Sequence, residues 1–337
     1  LYFAEGLPFG IVADALPVWL RVYGAGLAEI GMLSLLGLPW TLKVLWAPLV
    51  DRFGSHQAWI VPCLGVAALV LYLLPFADAA QPGPLLWGLL LLLTLASATQ
   101  DVAIDAYTVG LAGPGEEGPA NGVRVAAYRA ALVAAGGGLL LASGVLGWTG
   151  AFHLAAGLCV VLALLLGRSP RLALPAAAER RGQVAALRAW LALPGSAVLV
   201  AFVLTFKLGD AAMGPMVRPF WVDRGLTVAE IGRITNTLGV ALTVAGALAG
   251  GWLTSRLGIV AALFWLGLAQ ALSNLGYAAA ALVDAGRAGI YAASMLESFT
   301  GGLGTAAFLS LLMGACDRRQ AAVQYAFLSA LFGLTRS

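Results

Sequence analysis

The chain has 337 residues, 61% hydrophobic and only 10% charged, with a formal net charge of +3 and a mean hydropathy of +0.92. A soluble domain carries about 25% charged residues, so a water-facing globule and a soluble enzyme are excluded, and lipid is the solvent for most of the surface. Cys63, Cys159 and Cys316 sit singly in apolar stretches and His56 and His153 lie far apart, so neither a disulfide framework nor a metal-ligand cluster is indicated.

Crossing a hydrocarbon core takes about 20 mostly apolar helical residues. In chain order, spanning helices are predicted near 1–20, 28–48, 58–77, 85–109, 122–146, 150–167, 193–222, 228–255, 258–282, 287–314 and 319–335. The long apolar run from Ala130 to Gly167 is divided by Gly147-Trp148-Thr149-Gly150, a turn cluster that makes it a hairpin. Isolated spans must be helical, because backbone unpaired in lipid costs too much. The chain opens at Leu1 inside apolar sequence, without an initiator Met or a signal-peptide layout, and is expected to be a fragment.

Residues 168–192 carry Arg168, Arg171, Arg180, Arg181 and Arg188 and form the longest connection. Basic loops stay cytoplasmic, which puts Asp51-Arg52, Glu116-Glu117, Arg256 and Asp317-Arg318-Arg319 on the same side and the N-terminus in the cytoplasm. The expected organisation is an N-terminal six-helix half over 1–167, a basic linker over 168–192 and a C-terminal half over 193–337 with five helices. An internal repeat supports it. Ala28-Glu29-Ile30-Gly31 recurs as Ala229-Glu230-Ile231-Gly232, and the helices after each copy run to Asp51-Arg52-Phe53-Gly54 and Ser255-Arg256-Leu257-Gly258. Two repeated halves around a cytoplasmic loop are the plan of six-plus-six transporters, so the fold class is an all-α membrane bundle with a final helix expected beyond Ser337.

Charges inside the spans carry the functional signal. A lone charge at the bilayer centre costs about 2.5–3.5 kcal/mol, yet Glu5, Asp14, Lys43, Asp101, Asp105, Arg129, Lys207, Asp210 and Glu297 all fall within predicted helices. They must face one another or a wet cavity. Asp101 and Asp105 are four residues apart on one helix face; two carboxylates so close suit a shared proton. Lys207 and Asp210, three apart, can pair. Glu5 and Asp14 are about 180° apart on an undistorted helix unless Pro8 or Gly10 breaks it; Asp14 is favoured for the site, with Glu5 solvated near the cytoplasmic end. Glu297 lies among Ser298, Thr300, Gly301 and Gly302, a polar setting that suits a site. Gly136-Gly137-Gly138 and the Gly246/Gly250 pair are expected to allow close helix packing. Trp19, Trp148 and Trp221 are expected at the membrane interface.

Several segments resemble a known family. Gly6-Leu7-Pro8, Gly37-Leu38-Pro39-Trp40-Thr41-Leu42-Lys43-Val44-Leu45-Trp46-Ala47-Pro48, Ala98-Thr99-Gln100-Asp101-Val102-Ala103-Ile104-Asp105-Ala106-Tyr107, Tyr128-Arg129 and Lys207-Leu208-Gly209-Asp210 are similar to stretches of the AmpG muropeptide permeases of the major facilitator superfamily. Asp51-Arg52-Phe53-Gly54 resembles that superfamily's signature loop, with Asp51, Arg52 and Gly54 as its gating residues. The resemblance implies a major facilitator-type bundle in the bacterial inner membrane. It also implies proton-driven import of N-acetylglucosamine–anhydro-N-acetylmuramyl peptides for cell-wall recycling, with the halves rocking about a central cavity.

In this reading Asp101, Asp105 and Asp14 are the proton-coupling candidates, and Gln100, Lys43, Arg129, Lys207, Asp210 and Glu297 contact the substrate. The proton gradient drives transport, with no cofactor or metal; the partners are a small-molecule muropeptide and the lipid bilayer, with no nucleic acid, and a monomer is expected. The alternatives are an acetyl-CoA or other organic-anion carrier of the same superfamily and a membrane receptor without flux. Nothing in the sequence assembles a nucleophile–base pair, a metal cluster or a phosphate loop, so an enzyme is not expected.

Overall fold

A computed structural model describes all residues except 54, 114, 171–182, 227–229, 231–236, 284–285, 318–319 and 335–337, with backbone alone at 183–186, 211–212, 214–216, 218–219, 222 and 334. The described residues are almost wholly helical. The elements that position charged groups are α1 (Tyr2–Val22), α2 (Leu27–Leu45), α3 (Ala47–Arg52), α4 (His56–Phe76) and α5 (Pro84–Leu111), then α6 (117–146) and α7 (148–167). Within the expected linker lies α8 (Gln183–Leu191), and after it come α9 (Ser196–Thr205), α10 (Leu208–Asp223), α11 (Gly239–Leu257), α12 (Ile259–Leu282), α13 (Gly286–Gly314) and α14 (Ala321–Leu334).

The hairpin predicted within 130–167 is present: Gly147, at φ 69° and ψ 169°, separates α6 from α7. A residue with a Cβ resists that conformation. The single helix predicted over 193–222 is instead two, α9 and α10, with a turn at Phe206-Lys207. In the repeat, the first copy opens α2 through the Glu29 carboxylate, which accepts the Gly26 N–H. Residues 229, 231 and 232 of the second copy lie outside the described residues; Glu230 accepts from Arg287 at 3.1 Å.

Three helices, α1, α2 and α6, depart from regular α geometry where the sequence offers reasons. In α1, Ile11–Ala15 winds as a π-helix just after Pro8 and Gly10. It packs on a second π segment, Ala134–Gly138, in the glycine run of α6. In α2, 3₁₀ turns at Leu33–Gly37 and Lys43–Leu45 flank the short α segment Leu38–Leu42, which carries Pro39 in its first turn. By contrast α5 is regular over 28 residues and buries a polar stripe of Thr94, Ser97, Asp101, Asp105 and Thr108 at i, i+3 and i+4 spacing.

Contacts group the chain into two compact units. The first comprises 1–111, 127–189 and 317–330; the second comprises 112–126, 190–316 and 331–337. Within the first, α1 packs on α5, and α4 packs on α5 and α7. Within the second, α13 packs on both α11 and α12, and α11 approaches its neighbours most closely at its glycines. Its Gly246 and Gly250 meet the backbone of Phe299 and Leu303 on α13, and its Gly251 meets the backbone of Gly118 and Gly122 at the start of α6. Backbones approach this closely only where no Cβ intervenes, so the close packing expected of Gly246 and Gly250 is present. Of the other glycine run, Gly136 is tightly packed, against the Asp14 carboxylate, while a Cβ at Gly137 would meet nothing within 4 Å.

The tryptophan expectation is corrected in part. Trp19 and Trp221 are each 2% exposed. Trp19 packs edge-on against Phe152, and Trp221 joins Tyr277 and Ile290 in a core cluster. Both rings serve helix packing rather than the lipid interface. Trp148 is half-buried beside Phe152.

Candidate functional site

In the first unit, four buried ionisable side chains converge. The 3₁₀ turn at Lys43–Leu45 carries Lys43, and α5 supplies Asp101 and Asp105 from one face. The Lys43 ammonium donates to Asp101 Oδ2 and lies 3.9 Å from Asp105 Oδ2. The Tyr2 hydroxyl donates to Asp105 Oδ1 at 3.3 Å. Glu5, one turn along α1, completes the group: the carboxylate oxygens of Glu5, Asp101 and Asp105 lie within 4.8 Å of one another. All three acids and the lysine are buried. Three carboxylates could in principle hold a cation, but the Lys43 ammonium is already bonded among them and supplies the compensating charge.

The sequence favours Asp14 as the site residue and a solvated Glu5; the structure reverses this. Glu5 is 7% exposed and joins the acidic group, whereas Asp14 is exposed. The π turn explains part of the change, since it inserts one residue and rotates the remainder of the helix by about 100°. Asp14 instead faces α6, where its carboxylate lies 2.8 Å from the position a Cβ of Gly136 would take. Arg129 is half-buried on α6. Gln100 is fully buried, and neither atom of its amide has a hydrogen-bond partner among the described residues.

A second polar cluster occupies the second unit. Lys207 stands in the turn between α9 and α10, and Asp210 in the first turn of α10, where a helix N-terminus favours negative charge. Lys207 Nζ lies 2.9 Å from Asp210 Oδ2. The Gln270 amide donates to the same oxygen, and the Asn274 amide donates to Oδ1 at 3.0 Å. Ser273, on the same helix, accepts from Thr300 on α13 at 2.7 Å. Gln270 and Asn274 escaped the sequence reading because amides in an apolar helix carry no charge to flag them. Their i, i+4 spacing opposite Asp210 was the available signal. Glu297 is half-buried, one turn before Thr300.

The expected gating loop is partly described; Gly54 lies outside the described residues. Asp51, at the end of α3, accepts the N–H groups of Ala322 and Val323 at 3.2 and 3.0 Å and so caps α14. Burial pushes its carboxyl up to about 7, against the two backbone donors that favour the charged form. Arg52 is exposed and stacks over Phe53 at 5.3 Å. In the second copy Ser255 instead bonds back to Trp252 in its own helix at 2.7 Å.

Helices long and apolar enough to cross a membrane, with ion pairs buried among them, are the features a membrane transporter needs. The family model described as Major Facilitator Superfamily matches residues 1–337. The anhydromuropeptide permease of Escherichia coli K12 is 33% identical over 349 aligned residues, covering 100% of this chain and 70% of that protein. A Rickettsia conorii protein described as transporter AmpG 4 is 26% identical, covering 98% of this chain and 84% of its own length. Among solved structures, the human organic anion transporter MFSD10 superposes with a TM-score of 0.72 over 99% of this chain and 88% of that one, at 15% identity, a likeness of fold. The chain belongs to the Major Facilitator Superfamily and, within it, to the AmpG permease family.

Proposed function

We propose that this transporter imports anhydromuropeptides, N-acetylglucosamine–anhydro-N-acetylmuramyl peptides, across the bacterial inner membrane for peptidoglycan recycling, and that proton entry drives it. The N-terminus is then cytoplasmic, the chain acts as a monomer, and the energy source is the proton gradient rather than a bound cofactor. The substrate assignment rests on the 33% identity to the E. coli permease over the whole chain.

Proton coupling rests on the cluster of Glu5, Asp101, Asp105 and Lys43. Three buried carboxylates within 4.8 Å repel one another when all are ionised. A proton shared within the group relieves that repulsion, and Lys43 between Asp101 and Asp105 makes the affinity for it depend on which acid the ammonium faces. Alternating access of two halves, 1–167 and 193–337, would expose the group to opposite sides in turn. Lys43 and Lys207 both bond aspartates, which favours this reading over an organic-anion carrier that would need those cations for its ligand.

The test uses the full-length protein in vesicles with labelled anhydromuropeptide. Asp101→Asn and Asp105→Asn should each abolish accumulation driven by a pH gradient while leaving exchange between internal and external substrate intact. Persistence of pH-driven accumulation in both variants rejects proton coupling at this cluster.

A further inference from the structure

The 3₁₀ turn that carries Lys43 is fastened to α5 at two points. We propose that Trp46 and Thr99, through the hydrogen bond between them, are positioning residues for Lys43, fixing its backbone so that the ammonium exchanges between Asp101 and Asp105. This deepens the proton-coupling reading and rests on it.

The local sequence explains why the turn needs fastening. Pro48, in the first turn of α3, has no N–H for the Val44 carbonyl four residues back. The α ladder therefore does not run through Lys43–Leu45, and the turn closes on itself, with the Trp46 N–H donating to the Lys43 carbonyl at 3.2 Å. Side chains add the rest. The Trp46 indole N–H donates to the Thr99 hydroxyl at 3.1 Å. Chemistry settles that direction: an indole nitrogen only donates, and Thr99 spends its own proton on the Leu95 carbonyl at 2.8 Å. Both side chains are half-buried.

Three residues before Trp46, the Lys43 ammonium donates to Asp101. An α-helix turns about 100° per residue, so Thr99 and Asp101 stand about 160° apart around α5. The turn grips α5 from two flanks, and rolling it toward one partner draws it away from the other.

The second position for the ammonium is held as well. The Tyr2 hydroxyl donates to Asp105 Oδ1 at 3.3 Å, and Asp105 Oδ2 lies 3.9 Å from Lys43 Nζ. Among the described residues the charged groups acting on Lys43 are Asp101, Asp105 and Glu5. A proton taken up by Asp101 discharges the carboxylate that holds the ammonium, and a buried charge without its partner is costly. On a fixed backbone, rotation about the bonds of the flexible lysine stem carries the ammonium to Asp105. On a loose turn the backbone shifts instead, and proton uptake is no longer tied to one exchange of partners.

The test reconstitutes the full-length protein in vesicles. For each variant it takes the ratio of pH-gradient-driven accumulation of labelled anhydromuropeptide to counterflow exchange of the same probe. A variant that merely folds less well lowers both and leaves the ratio alone. Thr99→Val, which keeps the side-chain shape and removes the acceptor, should lower the ratio about five- to tenfold, the worth of one hydrogen bond. Thr99→Ser, which keeps the hydroxyl, should restore most of it. Trp46→Phe should match Thr99→Val, and the double variant should be no worse than either single one, since the second change removes a bond already lost. An unaltered ratio in Thr99→Val, no recovery in Thr99→Ser, or losses that multiply in the double variant overturns the positioning role while leaving proton coupling standing. A wild-type protein without pH-driven accumulation overturns both.

Discussion

The two polar clusters solve the same problem, charge at bilayer depth, in opposite ways. Around Lys43 three carboxylates crowd one ammonium. Around Asp210 one carboxylate collects three donors, only one of them charged. The first arrangement is rich in acceptors that compete for a proton; in the second an ammonium and two fixed amide dipoles balance the one carboxylate. On the proposed reading of proton coupling, the first group is the one that changes charge and the second the one that keeps it.

The comparison can be broken most directly by deleting each lysine. Removing one partner of a buried ion pair leaves an uncompensated charge and costs about 3–5 kcal/mol. Lys43→Met should approach that cost, since Asp101 and Asp105 lose the ammonium between them. Lys207→Met should cost about 1–2 kcal/mol, because two amides still donate to Asp210. Thermal unfolding of the two variants in detergent checks the order, and equal losses would contradict the contrast between the clusters.

The units also differ in how tightly helices approach. A Cβ at Gly246 meets the backbone of Phe299, whereas one at Gly10 meets the Ala135 side chain at 2.7 Å and Leu132 at 3.3 Å. Neither Phe299 backbone nor the Ala135 Cβ can rotate away, but the Phe299 carbonyl oxygen stands the closer of the two, so Gly246→Ala should destabilise by the upper part of the about 1–3 kcal/mol range for overpacking and Gly10→Ala by the lower part. Yields of folded protein and unfolding midpoints for the pair give the test.

The smallest expected effect separates the two repeat loops. Asp51 titrates near 7 in the folded chain, above its ordinary value. For an acid raised in this way the folded state holds the extra proton at low pH, so stability is highest below about 4 and declines as pH rises toward 7. Asn also caps helices, so Asp51→Asn should keep the α14 cap and flatten this part of the pH–stability curve. Ser255→Ala, in the second copy, should leave the curve unchanged.

Much of the fold was legible because its signals are local. Each long apolar run announces a helix, and Gly147 announces its own break through a backbone conformation that other residues resist. The charge pattern was legible too, since Asp101 and Asp105 share a face by spacing alone. What failed were readings that assumed an ideal helix. The π turn at Ile11–Ala15 changes which way Asp14 stands relative to Glu5, and the turn at Phe206-Lys207 divides the helix expected over 193–222; no periodicity argument contains an inserted residue. Gln270 and Asn274 were invisible for a different reason: an uncharged amide gains its meaning from the carboxylate opposite it.

Composition and hydropathy alone therefore determined that this is a multi-pass helical membrane protein and that its few intramembrane charges matter, because the cost of placing charge or unpaired backbone in lipid depends on the residue and not on its neighbours. Which charges meet was decided only by tertiary structure. Lys43 finds Asp101 across 58 positions of chain and Asn274 finds Asp210 across 64. Such pairings depend on helix register and on backbone approach at glycines, quantities that packing sets and a string of residues does not contain.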